Sequence, residues 1–148
     1  MSAFFHPEEN LLLSSSLDHT MRVWDFSLLK EKSQKYKGGP DGKGVEVFLG
    51  TEIEVKHVLE GHEKGINWGS FHPKWNLIAS GADDKSIKLW RMSGARAWEM
   101  DTLRGHQNNV SCVAFHPKLE ILFSNSEDKT LKVWDLNRRI CLNTVKRD

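Results

Sequence analysis

One string of residues recurs at a fixed offset, and this recurrence restricts the chain to very few architectures. Gly105-His106 opens a stretch that runs through Val110-Ser111-Cys112-Val113-Ala114-Phe115, Ile121-Leu122-Phe123-Ser124 and Asp128-Lys129-Thr130, and closes on Lys132-Val133-Trp134-Asp135. Gly61-His62 opens the same series one period earlier: Ile66-Asn67-Trp68-Gly69-Ser70-Phe71, Leu77-Ile78-Ala79-Ser80, Asp84-Lys85-Ser86 and Lys88-Leu89-Trp90. His62 and His106 are 44 residues apart, and so are Trp90 and Trp134. A third copy precedes them. Phe5-His6-Pro7 aligns with Phe71-His72-Pro73 and Phe115-His116-Pro117, Leu12-Leu13-Ser14 with Ile78-Ala79-Ser80, and Asp18-His19-Thr20 and Arg22-Val23-Trp24-Asp25 complete it. Its Gly-His opening is expected to lie upstream of Met1.

A Gly-His opening and a Trp-Asp closing at a period of roughly 40–45 residues resembles the WD-repeat propeller family. That resemblance implies an all-β chain in which each unit is a four-stranded blade. In the second unit strands are expected near residues 65–71, 76–81, 86–91 and 97–103. The chain has 148 residues, enough for about three such blades, whereas closed propellers have about four to eight. The expected architecture is therefore a partial β-propeller, an arc cut from a larger ring, with its first blade truncated at the N-terminus. Residues 1–29 are expected to form the truncated blade, 30–52 a loop insertion, 53–104 the second blade with its lead-in strand, and 105–148 the third. The insertion contains Gly38-Gly39-Pro40-Asp41-Gly42-Lys43-Gly44, which is loop chemistry. Short strands that are apolar on both faces fit sheets sandwiched between neighbours.

Composition excludes several function classes. Twenty-one basic and twenty acidic residues give a net charge of +1, so no basic field for nucleic acid or anionic lipid is expected. No apolar run approaches the roughly 18 residues of a membrane span. The two cysteines, Cys112 and Cys141, fall in expected strands and lack metal-ligand spacing, which favours a reduced, cytoplasmic setting.

The residues most open to a catalytic reading are His62, Ser80 and Asp84, which recur as His106, Ser124 and Asp128. A hydrolase triad needs one such set, and here it appears twice at the same offsets, with no strand–turn–helix elbow to present a serine. The WD-repeat resemblance implies a structural role instead. The loop His bonds the turn Asp, and the strand Ser and the Trp90 or Trp134 indole join a buried polar network. Ser14, Asp18 and Trp24 supply three of the four members in the first copy. His6, His72 and His116 stand at equivalent positions in successive blades, too far apart to share a zinc ion with bonds of about 2 Å. Gly81 to Ser86 lacks the spacing of a phosphate loop. No cofactor and no metal are expected.

The wording of the repeats is more specific. Val58-Leu59-Glu60-Gly61-His62, Ser80-Gly81-Ala82-Asp83-Asp84-Lys85, Trp90-Arg91-Met92, Ala97-Trp98-Glu99 and Arg104-Gly105-His106-Gln107-Asn108-Asn109 together resemble the coatomer alpha family of the COPI vesicle coat. The resemblance implies a non-enzymatic scaffold for Golgi-to-ER retrograde and intra-Golgi transport, with other coatomer subunits and dilysine cargo tails as partners. It also implies a peripheral location on Golgi membranes and COPI vesicles. Cargo lysines would meet acids on one face near the axis, for which Asp83 and Glu127 are the candidates, with Asn67, Asn109 and Ser111 around them and Leu17 in the corresponding place of the first blade. The alternative is another WD-repeat interaction scaffold, a ubiquitin-ligase receptor or a G-protein-beta-like adaptor. An open arc leaves apolar faces in water, so self-association is also expected.

Overall fold

The computed structural model describes residues 2–29 and 53–147; the loop expected at 30–52 lies outside them. Twelve strands appear among the described residues: β1 (Ala3–Phe5), β2 (Leu11–Ser15), β3 (Thr20–Asp25), β4 (Glu54–Glu60), β5 (Ile66–Phe71), β6 (Leu77–Ala82), β7 (Ile87–Ser93), β8 (Arg96–Leu103), β9 (Val110–Phe115), β10 (Ile121–Ser126), β11 (Thr130–Asp135) and β12 (Ile140–Lys146). They form three antiparallel four-stranded sheets, β1-β2-β3-β4, β5-β6-β7-β8 and β9-β10-β11-β12. These are the three expected blades, with strands in chain order in each; in the second and third sheets turns join consecutive strands.

One expected boundary is corrected. The lead-in strand expected in the second blade, Glu54 to Leu59, is β4, and it pairs with β3, from Thr20 opposite Glu60 to Asp25 opposite Glu54. The first sheet is therefore a complete four-stranded one. Its outer strand follows Trp24 in the chain, and only pairing geometry shows which sheet it joins.

Burial records the sandwich. All six residues of β6 are buried, because the middle sheet is covered on both faces. In β2 and β10, by contrast, buried residues alternate with half-buried ones, since each end sheet is covered on one face only. Two cores result. Leu11, Leu13, Met21, Val23 and Leu59 of the first sheet meet Ile66, Ile78 and Trp90 of the second. Ala79, Ile87, Leu89 and Leu103 of the second meet Val110, Val113, Leu122 and Trp134 of the third. The inner strands approach closely: a Cβ on Gly81 would lie 2.6 Å from Val110 Cγ1, so only glycine fits there.

Each third strand shifts register against its outer strand immediately before its tryptophan, between Val23 and Trp24, Leu89 and Trp90, and Val133 and Trp134. The extra residue is on the outer strand each time, and a bulge bends the strand that carries it. Trp90 and Trp134 are 2% exposed.

Candidate functional site

The repeated polar residues converge at one end of each sheet. His62 follows β4 and lies over the β6–β7 turn. Its Nδ1 is 2.8 Å from Asp84 Oδ2, and its Nε2 is 2.6 Å from Ser80 Oγ. Trp90 Nε1–H donates to the same Ser80 oxygen at 2.8 Å. In the third sheet His106 Nδ1 is 2.9 Å from Asp128 Oδ2 and Nε2 is 2.7 Å from Ser124 Oγ, while Trp134 Nε1–H donates to Ser124 Oγ at 2.8 Å. A carboxylate only accepts, so each ring carries its proton on Nδ1 and accepts at Nε2 from the serine hydroxyl. The chain of donors then runs from indole to serine to imidazole to carboxylate with no polar atom left over.

The turn itself is held by the same carboxylates. Asp84 Oδ1 accepts from Ser86 N–H at 3.0 Å and from its hydroxyl at 2.6 Å, and Asp128 Oδ1 accepts from Thr130 N–H at 2.8 Å. These bonds secure a left-handed residue between donor and acceptor: φ is 69° at Lys85 and 66° at Lys129. Burial pushes the Asp84 carboxyl up, but hydrogen bonds from His62 and Ser86 outweigh it and hold the group well below the usual carboxylate range. Asp128 behaves alike: burial raises it, while bonds from Thr130, Gln107 N–H and His106 hold it low. Burial depresses the His106 ring below its ordinary value despite the opposing pull of Asp128.

Serine, histidine and aspartate at these distances reproduce the connectivity of a hydrolase triad, but not its accessibility. Ser80 is 0% exposed and Ser124 is 1% exposed. Each hydroxyl oxygen already accepts an indole N–H, so no substrate carbonyl can approach it. What the arrangement can do is pin a loop, a turn and two strands together.

In the first sheet the structure divides the expected set. Trp24 Nε1–H donates to Ser14 Oγ at 2.9 Å. Asp18 stands apart, accepting from Thr20 N–H at 3.0 Å and lying 3.6 Å from Arg22.

The candidate cargo-facing residues lie at this same end. Asn67 Nδ2 donates to Asp83 Oδ1 at 2.7 Å and to the Val110 carbonyl at 3.1 Å, tying the second sheet's turn to the third sheet's inner strand. Asp83 N–H donates to Gly65 O, and Glu127 N–H to Asn109 O, both at 2.9 Å, so the two acids occupy equivalent places. Glu127 is exposed and Asp83 half-buried. Ser111 is engaged within its own sheet: its hydroxyl donates to Asn125 O and accepts from Asn125 Nδ2, each at 3.2 Å. Leu17 takes the acid's place in the first sheet and is 58% exposed.

Sequence reasoning missed two ion pairs. Lys88, 7% exposed, pairs with Glu99 and donates to Thr102 Oγ1 at 2.9 Å. Arg139 Nη1 reaches Asp101 Oδ2 at 3.2 Å, joining the second and third sheets. Neither pair repeats in every blade, so periodicity could not reveal them. The three His-Pro turns did repeat. In each, the histidine Nδ1 accepts two backbone N–H groups, as His72 does from Lys74 and Trp75 at 3.0 and 2.9 Å.

Comparison with known proteins agrees with this geometry. The family described as WD domain, G-beta repeat matches residues 1–25, 53–91 and 98–135. The second and third matches each begin in or just before an outer strand and end in the third strand of the next sheet, so the sequence unit straddles two blades. The chain is 66% identical over 103 residues to a Schizosaccharomyces pombe protein assigned as a coatomer subunit alpha, covering 70% of this chain and 8% of that protein. It is 62% identical over 48 residues to coatomer subunit alpha of Saccharomyces cerevisiae, covering 32% and 4%. It is 58% identical over 59 residues to coatomer subunit alpha-3 of Oryza sativa subsp. japonica, covering 40% and 5%. The chain thus spans less than a tenth of the length of these relatives.

Proposed function

Because the chain belongs to the WD-repeat family, we propose that it is a non-enzymatic segment of a coatomer alpha propeller, working as a scaffold in the COPI vesicle coat. The observation that carries this reading is the 66% identity over 103 residues to a coatomer alpha relative. The inaccessible serines support a scaffold rather than a hydrolase. In this reading the parent protein associates with other coatomer subunits and joins Golgi membranes and COPI vesicles peripherally, from the cytoplasm. Among the described residues no helix is long and apolar enough to cross a membrane. Affinity capture with the chain as bait tests the assignment. Recovery of coatomer subunits is the expected result; recovery of ubiquitin-ligase or G-protein components instead would reassign the scaffold.

The parent propeller, in this reading, receives dilysine cargo tails at the end that carries Asp83 and Glu127, with carboxylates meeting ammonium groups. Glu127 is the freer of the two, since Asp83 already accepts from Asn67. The basic residues that would hold a cargo carboxylate are expected in other blades, so this chain by itself is expected to bind a dilysine-ended peptide weakly or not at all. Isothermal titration measures this, and micromolar affinity would refute it.

Self-association belongs to the same reading. Ile121, Phe123, Leu131 and Val133 are half-buried on the open face of the third sheet, in the places where Leu77, Ala79, Ile87 and Leu89 of the second sheet receive a neighbour. Phe5, Leu12 and Trp24 lie on the open face of the first sheet, in the places of Phe71, Ile78 and Trp90. One open face therefore has the chemistry the other accepts, and a second copy packing head to tail covers both. Light scattering at rising concentration is expected to show growth in mass; a constant monomer would count against it.

A further inference from the structure

We propose that the opposite end of the blades carries a docking groove for an acidic peptide with an aromatic or large aliphatic anchor. Each inner strand there ends in a Phe-His-Pro turn. Three such turns side by side leave a groove of about 310 Å³ whose lining includes Phe5, Phe71, Phe115, Pro7, Pro73 and Pro117. Pro117 also borders a cleft of about 210 Å³ between the β5–β6 and β9–β10 turns, lined by Lys74, Trp75, Lys118 and Leu119. Groove and cleft are thus neighbours, with Pro117 on the border of both.

The scaffold of these turns leaves their two following side chains free. His6, His72 and His116 each hold the turn through Nδ1 and two backbone N–H groups, whatever residues follow the proline. The first turn carries Glu8 and Glu9, the second Lys74 and Trp75, the third Lys118 and Leu119. The fold accepts two acids at these positions, so neither lysine nor tryptophan is required by it. Yet two ammonium groups and two large apolar side chains gather on one cleft, with Trp75 38% and Leu119 57% exposed. Trp75 is a fixed platform, stacked on the His72 ring at 4.4 Å and 4°. Neither lysine is in an ion pair among the described residues, while Glu120, the acid of the cleft, is held by Asn137.

Charge complementarity identifies the occupant. Carboxylates of an extended peptide meet Lys74 and Lys118, and an anchor side chain lies on Trp75 or on the phenylalanine-proline floor. Glu8 and Glu9 repel the same peptide from the neighbouring turn, which confines it to the second and third. This end lies about 20 Å from Asp83, the length of a six-residue strand. Lys74 and Lys118 on this cleft and Asp83 and Glu127 at the far end are therefore suited to different ligands.

The probe is a fluorescein-labelled peptide, Glu-Asp-Phe-Asp-Glu-Leu, followed by anisotropy against the full chain. The variants are Lys74→Glu with Lys118→Glu, and separately Trp75→Glu; each imports the residue that the first turn already carries, so folding is preserved, as circular dichroism will show. Binding is expected to weaken roughly tenfold with the lysine pair reversed and to fall with salt. A control peptide with serine in place of phenylalanine and leucine is expected to bind less. Absence of binding to the unaltered chain, or equal affinity for the variants or for the control, overturns the proposal. If lysine reversal alters sedimentation of the chain while peptide affinity is unchanged, the groove is a contact between copies and the peptide proposal falls.

Discussion

Replacing His106 by alanine is the most direct perturbation of the buried network. The substitution removes a side chain that is 1% exposed and breaks its bonds to Asp128 at 2.9 Å and Ser124 at 2.7 Å. The bond to the carboxylate contributes about 2 kcal/mol, as hydrogen bonds to charged groups do. The Ser124 hydroxyl loses its acceptor in a region water does not reach, at about 1 kcal/mol. The vacated ring leaves a cavity against Trp134, whose ring centroid is 6.4 Å away, at about 1 kcal/mol more. Against this, Asp128 keeps the Gln107 and Thr130 donors, so its charge is not orphaned. The expected loss is about 4 kcal/mol, a large fraction of a typical domain's stability of roughly 5–15 kcal/mol. Urea unfolding followed by tryptophan fluorescence measures it: the midpoint falls while the slope is unchanged. A double-mutant cycle with Asp128→Asn isolates the pair. A loss below about 0.5 kcal/mol would mean the network is dispensable, and the structural account of the repeated residues would fail with it.

Acid titration gives a second check. Burial holds the folded His106 ring below its ordinary value of 6.5, so the unfolded chain binds more protons as pH falls through that value; stability is full above it and declines below, and His106→Ala removes that part of the curve. Asp84 and Asp128 are depressed from 3.8, so their contribution is present above that value and is lost as pH falls further; circular dichroism at fixed urea between pH 8 and pH 2 separates the two declines on the order of these pKa values. Gly81→Ala places a Cβ 2.6 Å from Val110 Cγ1, and thermal unfolding should show a loss of about 2 kcal/mol that Val110→Ala partly restores. Lys129 has φ 66°, so Lys129→Gly should be neutral or stabilise by up to about 1 kcal/mol, while Lys129→Val destabilises, both by urea midpoint.

The sequence made the inner three strands of each blade and the second and third polar networks legible, because both rest on residues that recur at one offset. His62, Ser80, Asp84 and Trp90 stand out by their recurrence, the WD-repeat resemblance implies that they bond one another, and hydrogen bonds join them. What depends on pairing was not legible. Alternation marks Glu54–Glu60 as a strand but does not say whether β3 or β5 holds its edge. The three bulges are likewise hidden, since the outer-strand residues skipped in the pairing are Lys56, Met100 and Leu142, with no chemistry in common. Asp18 was grouped with Ser14 and Trp24 by analogy. Among the described residues no histidine bonds both Ser14 and Asp18, so the two halves stay separate.

Internal repetition also separates scaffold from surface without any second sequence. Where three blades carry the same residue, as at His6, His72 and His116 or Trp24, Trp90 and Trp134, the shared bond explains it, and the position belongs to the fold. Where the fold tolerates very different residues at one place, the fold does not dictate the choice made there. Leu17, Asp83 and Glu127 stand at one such position, and Glu9, Trp75 and Leu119 at another, on opposite ends of the sheets. An acid at the first and an exposed tryptophan beside a lysine at the second are not demanded by packing. Those two ends are therefore where partner chemistry has room to be written into an otherwise repeated structure.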